Sequence, residues 1–344
     1  MNERHDLGVS RRELLKGASC GFGYLAFAGL STMAAEAEKG PLSPKSPHFK
    51  AKAKRVILLC MRGGPSHVDT FDYKPQLAKD TGKPGRSRGG RAAELLGSPW
   101  EFSQHGESGL WISELFPEVA KHADDLCILN GMHTDLPNHP QAFVQMHTGN
   151  FQFVRPSLGA WTLYGLGTEN DNLPGFITLN APTGVGGAQN YGSAFLPAVY
   201  QGTKIGTGQP RPGGGQQRFR RGGGPAPDPI ENIKNDELSK NLQRVQLDLI
   251  KSLNMEKLKR DQHHPEVEGV IESFELAFRM QASMPELTDL STEPESTFNL
   301  YGPDSKKPNT FARNCVIARR LAERGVRFIQ LYHRAWDQHG NLPR

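Results

Sequence analysis

Residues 55–65 read RVILLCMRGGP, a continuous apolar run with β-branched members that ends at Gly63-Gly64-Pro65. A run of this kind, bounded by turn residues, predicts a buried strand. Residues 174–179 and 326–332 predict further strands, and helical patterns occupy 140–147, 235–283 and 309–325. Strands that alternate with helices indicate an α/β fold around a mainly parallel sheet.

Two weaker patterns lie between the first strand and the helix at 140–147. Residues 113–123 begin Ser-Glu-Leu-Phe-Pro and predict a helix, and residues 125–129 predict another short buried strand. Cys60 and Cys127 lie inside apolar runs, so we expect both thiols to be buried. The four cysteines are widely spaced and form no Cys-x-x-Cys, which argues against a disulfide framework and against a zinc–thiolate site.

Composition excludes several classes of protein. The 344 residues contain no Gly-X-Y period, no long heptad run and no stretch of 18 apolar residues, which excludes collagen, coiled coil and multi-pass membrane protein. The net charge of +5 equals the five cations of segment 204–224, which has no Asp or Glu. The rest of the chain is balanced, so we expect no nucleic-acid partner.

The surrounding segment, 204–229, is rich in Gly, Pro, Gln and Arg and predicts a disordered surface insert, since it cannot build a core. The alternative is a loop that holds an anionic polysaccharide or a nucleic acid. Its single aromatic residue, Phe219, gives that alternative little support.

The N-terminus has the pattern of an export signal. Residues 10–16 read SRRELLK, a weakly apolar run follows at 17–33, and Ala35-Glu36-Ala37 resembles a cleavage site. Residues 1–37 therefore resemble a twin-arginine signal peptide read by the export machinery, which predicts a periplasmic or secreted protein with no transmembrane helix in its mature chain. The alternative, an amphipathic helix, is disfavoured by four glycines. Residues 38–53 predict a linker to a domain at 54–344.

Polar side chains gather where two predicted strands end. His67, Asp69 and Asp72 follow the first strand, and Asp337 with His339 follows the last. Ligands in open α/β sheets bind at the carboxyl ends of strands. Asp337 and His339 would point to the same side of an extended backbone, and zinc, manganese or iron would accept this mixture of oxygen and nitrogen.

A third polar cluster lies between these two strand ends. It spans residues 132–149 and contains His133, His139 and His147. Four other histidines stand alone and are predicted to be ordinary polar or solvent-facing residues: His105, His122, His263 and His264.

Several ordered motifs carry a resemblance to a known family. They are GGPSHVDTFD at 63–72, ISELFP at 112–117, RPSLGAW at 155–161, ARRLAERGVR at 318–327 and WDQHG at 336–340. From about Lys54 to the last residue the chain resembles the DUF1501 family, planctomycete-type exported proteins often labelled sulfatase-like and placed with the alkaline phosphatase and sulfatase superfamily.

The resemblance implies a doubly wound, alkaline phosphatase-like α/β fold with metal ions at strand ends. It also implies hydrolysis of a sulfate or phosphate ester by in-line attack. Asp69, Asp337 and His339 would bind a divalent metal ion (zinc, manganese, iron or calcium), and His139 would take the catalytic position. His139 stands where sulfatases begin a helix with their nucleophile, so it is either a metal ligand or a phosphorylatable nucleophile.

The chain departs from the superfamily pattern in three places. No Cys-x-Pro-x-Arg occurs, and Arg62 stands where the superfamily often has Asp, which makes Asp69 a displaced candidate. The family continues to a further Asp-His motif, whereas this sequence ends at Arg344, so the domain is expected to be C-terminally incomplete and the fragment inactive. The alternative function is a non-catalytic exported protein that binds a polysaccharide or a partner on the same fold.

Overall fold

The computed structural model describes residues 28–29, 40–85, 93–206, 238–261 and 265–337. Its strands are β1 Val56–Met61, β2 Phe102–His105, β3 Leu110–Ser113, β4 Phe176–Leu179, β5 Thr203–Ile205 and β6 Phe328–His333. β1, β6, β4 and β5 form, in that order, a four-stranded sheet in which every pair is parallel. β2 and β3 form a separate antiparallel hairpin. The mixed α/β class with a parallel sheet is thus confirmed.

Eight helices accompany these strands in the described part of the chain. They are α1 Pro75–Lys79, α2 Pro117–Ala120, α3 His139–Thr148, α4 Leu158–Leu166, α5 Lys240–Asp261, α6 Pro265–Thr288, α7 Glu295–Tyr301 and α8 Phe311–Glu323. The helices predicted at 140–147, 235–283 and 309–325 are therefore present. The helix predicted at 113–123 is shorter, because residues 110–113 form β3 and α2 ends at Ala120.

The side chains of β6 alternate between two cores. Ile329 and Leu331 pack with residues of α6 and α8, whereas Phe328 packs with α4 and Tyr332 with Phe143 of α3. Successive residues of a strand point to opposite faces, so helices cover both faces of the sheet at β6. Helix α8 contributes Val316 and Leu321 to the larger of these cores.

β1 is the strand predicted at residues 55–61, but the prediction that it is buried is wrong. Val56, Ile57 and Leu59 are exposed, and Cys60 is the only buried residue of the strand. The reason is topological: among the described strands, β1 is at the edge of the sheet and pairs with β6 alone. Its register aligns Met61 with His333, so β1 and β6 end at the same level.

The prediction of a short strand at residues 125–129 is also wrong. A 3-10 helix covers Ala123–Asp125, the chain then continues without regular structure, and Leu129 is 66% exposed. Cys127 is exposed too, against expectation. No described strand pairs with this segment; Leu126 packs on the cluster of Ile112 in β3, and the chain beyond it has no ladder partner.

The other two described cysteines are shielded from solvent. Burial raises the pKa of the Cys60 thiol to about 12, although Arg62 opposes the shift, and burial raises the pKa of Cys315 to about 11. Both thiols are therefore protonated at neutral pH.

The predicted insert, export signal and linker differ in how much of each the structure describes. Lys204 and Ile205, assigned to the disordered insert, belong to β5 because they pair with β4; residues 207–237 lie outside the described part of the chain. The predicted export signal lies there too, apart from residues 28–29. Residues of the predicted linker contact the domain: Lys45 N donates to Leu166 O at 3.1 Å. Among the described helices, none is both long and apolar enough to cross a membrane.

Candidate functional site

The chain segments that follow β1 and β6 are joined by their backbones. Arg62 N donates to His333 O at 2.7 Å, and Trp336 N donates to Arg62 O at 3.2 Å. Gly63, with φ +102°, lies so close to the second segment that a Cβ atom there would be 2.6 Å from Asp337 N. Only glycine combines this backbone conformation with such a close approach. The β1 turn therefore fixes the position of Asp337.

Helix α3 brings a third segment to this place. Its first residue is His139, and His139 Nε2 lies 3.0 Å from Asp337 Oδ2, with the two side chains 54% and 39% exposed. The N-cap residue, Asn138, makes no side-chain capping bond, and the first turn contains no acidic residue. The carboxylate of Asp337 is thus the anionic group at the positive end of the α3 dipole. Two of the four predicted site residues, distant in sequence, are in contact here.

Aromatic side chains hold the segment after β6 in place. Trp336 Nε1 donates to His333 Nδ1 at 3.0 Å, and the His333 ring stacks on Phe311 with ring centroids 4.4 Å apart. Burial lowers the pKa of His333, so its ring is neutral and Nδ1 accepts. Ala335 has φ +72°, an uncommon conformation for a residue with a Cβ atom. Asp337 therefore follows a tightly constrained turn.

The polar residues after β1 are bound mostly to one another. Asp72 accepts from Lys74 at 2.8 Å and from Asn130 at 3.0 Å, and His67 Nδ1 lies 3.0 Å from its second oxygen. These contacts, with Lys74 first, lower the pKa of Asp72 to about 2. The carboxylate of Asp72 is therefore engaged in an ion-pair network of its own.

Asp69 is half-buried at the end of the 3-10 helix His67–Asp69. It does not join the contact between His139 and Asp337: within the described residues, no three His, Cys, Asp or Glu side chains are close enough to hold a metal ion together. His339 lies outside those residues. Its predicted role stays a prediction, as does that of Asp69.

The pair in contact has the donor chemistry of a metal site. One imidazole nitrogen and one carboxylate oxygen suit zinc, manganese or iron better than calcium, which prefers oxygen alone. Their 3.0 Å separation is near the roughly 3.4 Å expected for two donors sharing a tetrahedral ion. The described residues thus bring together two side chains that could donate to a metal ion.

The other histidines of the third cluster are placed differently. His133 is exposed, whereas His147 is only 3% exposed and lies in the core beside Tyr332. The sequence pattern singled out His147 but missed Tyr332, as well as the supporting residues His333 and Trp336. Two features of the sequence could have indicated these residues. Polar and apolar residues alternate within β6, and an aromatic residue, Trp336, directly precedes Asp337.

Comparison with known proteins supplies a family and no named function. No curated protein and no solved structure matches the chain. One family model, described as a protein of unknown function, matches residues 53–344, which is most of the sequence. The chain therefore belongs to the DUF1501 family.

Proposed function

We propose that this protein is an exported, metal-dependent hydrolase of sulfate or phosphate esters with an alkaline phosphatase-like, doubly wound fold. The observation that carries the proposal is the 3.0 Å contact between His139 Nε2 and Asp337 Oδ2 at the carboxyl ends of β1 and β6. The carboxyl ends of parallel strands are where open α/β sheets bind ligands. The family resemblance supplies the reaction class.

In this proposal His139 acts as a metal ligand and not as a nucleophile. The Nε2 atom that would attack the ester faces Asp337 at 3.0 Å, which leaves no room for a phosphorus or sulfur atom between them. His139 must be neutral and Asp337 ionised to donate these atoms. His339 would supply a further donor, as the sequence predicts.

A divalent ion at this place supplies Lewis-acid polarisation of the ester and a more acidic water. The chain's own contribution is orientation. Gly63 and the Trp336–His333 bond fix Asp337, while the N-terminal end of α3 presents a positive dipole to an anionic ester. Both side chains of the pair are partly exposed, so an ester can reach them from solvent.

Hydrolysis of p-nitrophenyl phosphate and p-nitrophenyl sulfate with added zinc, manganese or iron tests the proposal. Asp337→Asn and His139→Gln are each expected to abolish metal-dependent hydrolysis. The matched control is the surface pair His122 and Asp125, whose Nδ1 and Oδ2 atoms are 4.0 Å apart and whose side chains are exposed. His122→Gln and Asp125→Asn should leave hydrolysis unchanged, and equal losses in both sets would refute the assignment.

A separate observation favours the alternative function, an exported binding protein for a polysaccharide. Trp161, Tyr164 and Phe195 are exposed and form a cluster in which the Trp161 ring centroid is 5.8 Å from each of the other two. Exposed aromatic clusters mark interaction surfaces. If this surface binds polysaccharide, Trp161→Ala should reduce retention on an immobilised polysaccharide, whereas Trp111→Ala, at another exposed tryptophan, should not.

A further inference from the structure

A chain of buried hydrogen bonds joins the far end of α3 to β6. His147 Nδ1 donates to Phe143 O at 2.7 Å, and its Nε2 accepts from the Tyr332 hydroxyl at 3.2 Å. Tyr332 in turn accepts from Gln330, which also donates to Asn190 O at 3.2 Å. Burial lowers the pKa of His147, so its ring is neutral and can accept. Each donor in this series of hydrogen bonds has an acceptor.

The same two elements meet again at the candidate site. Helix α3 contacts the β6 segment through His147 at one end and through His139 at the other. These histidines are separated by about 12 Å along the helix at roughly 1.5 Å per residue. The backbone from Tyr332 to Asp337 can reach about 17 Å when extended. The helix and the β6 segment therefore meet near both ends of α3, and between them Phe143 packs on Tyr332 with ring centroids 5.8 Å apart.

Removing the inner hydrogen bond would let α3 shift or turn against β6, because the ring packing of Phe143 on Tyr332 that remains is not directional. Buried hydrogen-bond networks rigidify the elements that they join, so the inner bond can set where the other ends of those elements meet. We infer that His147 and Tyr332 are positioning residues that hold His139 against Asp337. The inference rests on the proposed function of that pair as the metal centre.

The contact itself can be measured without metal or ester. In the full chain labelled with ¹⁵N-histidine, Asp337→Asn should shift the imidazole signals of His139, which the His139→Gln variant identifies. The same substitution made in a Tyr332→Phe background should produce little shift, because His139 no longer lies against residue 337. An undiminished shift in that background would overturn the inference, as would the absence of a shift in the otherwise unchanged chain.

Tyr200→Phe is the matched control. Tyr200 is also buried and lies in the same core cluster as Phe328 of β6, but it donates its hydroxyl to Pro41 O at 3.2 Å, which belongs to neither α3 nor β6. The shift caused by Asp337→Asn should persist in this background. If it is lost there too, general loosening of the fold explains the effect and the inference fails.

His147 variants decide the question if Tyr332→Phe does not fold, as judged by circular dichroism. His147→Gln keeps an acceptor for Tyr332 and should retain the His139 shift, whereas His147→Leu has no acceptor and should lose it. Identical shifts in these two variants would show that packing, and not the hydrogen bond, positions the helix.

Zinc affinity separates this inference from the proposed function. In competition with a chromophoric chelator, Tyr332→Phe should weaken zinc binding by about tenfold, the low end of the loss seen when a group bonded directly to a ligand is removed, because Tyr332 acts on the pair only through α3; Tyr200→Phe should not weaken it. If the unaltered chain binds no zinc, the proposed function fails, and the histidine shifts still decide whether Tyr332 positions His139.

Discussion

Replacement of Gly63 by alanine is the sharpest test of how the fold positions Asp337. The new Cβ atom would lie 2.6 Å from Asp337 N and 2.7 Å from Asp337 Cβ. These distances are about 1 Å shorter than a favourable non-bonded contact, so the backbone of Asp337 must move away by a similar amount. Since Asp337 Oδ2 is 3.0 Å from His139 Nε2, that movement is large enough to separate the pair.

The expected loss of stability has two parts. A side chain at φ +102° costs about 1–3 kcal/mol through backbone strain, and overpacking against Asp337 costs about 1–3 kcal/mol more. Gly64→Ala is the matched control, because Gly64 also has a positive φ, +73°, but no atom lies within 4 Å of its added Cβ. Gly64→Ala should lose only the stability that the backbone strain costs.

Urea denaturation of the two variants measures the difference, which we expect to be about 1–3 kcal/mol. Metal-dependent hydrolysis should fall about 100-fold in Gly63→Ala, the loss typical of a 1 Å misplacement, and much less in Gly64→Ala. Equal stability and equal activity in the two variants would refute the view that the β1 turn positions Asp337.

Three further predictions concern other parts of the chain. Of the described cysteines, Cys127 alone should be alkylated rapidly by iodoacetamide in the native protein, as peptide mapping would show, because it is exposed and the other two have raised pKa values. Acid unfolding of the protein should be steeper between pH 7 and pH 5 than that of His147→Gln. Burial lowers the pKa of His147 in the folded state below the usual value of about 6.5, so the stability that its neutral form contributes is lost as the pH falls from that value through the lower folded one. Replacing Arg11 and Arg12 by lysine should abolish export of a fused reporter protein.

One result would contradict each of these three predictions. Alkylation of all three described thiols at one rate would contradict the assigned burial. Identical acid profiles would show that neutral His147 contributes nothing to pH-dependent stability. Export of the reporter with both arginines replaced would exclude the twin-arginine route.

The apolar pattern of the sequence predicted strands better than it predicted their environment. The run at Val56–Met61 is a strand, yet its burial was wrong, because a continuous apolar run does not reveal whether the strand lies at the centre or at the edge of its sheet. The five residues at 125–129 had too short a run to distinguish a strand from an irregular segment, and no described strand pairs with them.

Contact between His139 and Asp337 is a product of the fold's topology. The sequence singled out both residues from their local surroundings, a helix start and a strand end, but no periodicity links positions so far apart. The pairing of β1 with β6 and the packing of α3 against Tyr332 bring them together. The close approach of Gly63 to Asp337 likewise depends on that pairing, although the glycine pair itself signalled tight backbone geometry.

The central claim is that His139 and Asp337 hold a divalent metal ion, and the metal content of the purified chain tests it most directly. Elemental analysis after reconstitution should find stoichiometric zinc, manganese or iron in the unaltered chain and in Asp125→Asn, and little in His139→Gln or Asp337→Asn. Absence of metal from the unaltered chain, or equal metal in all four proteins, would contradict the claim.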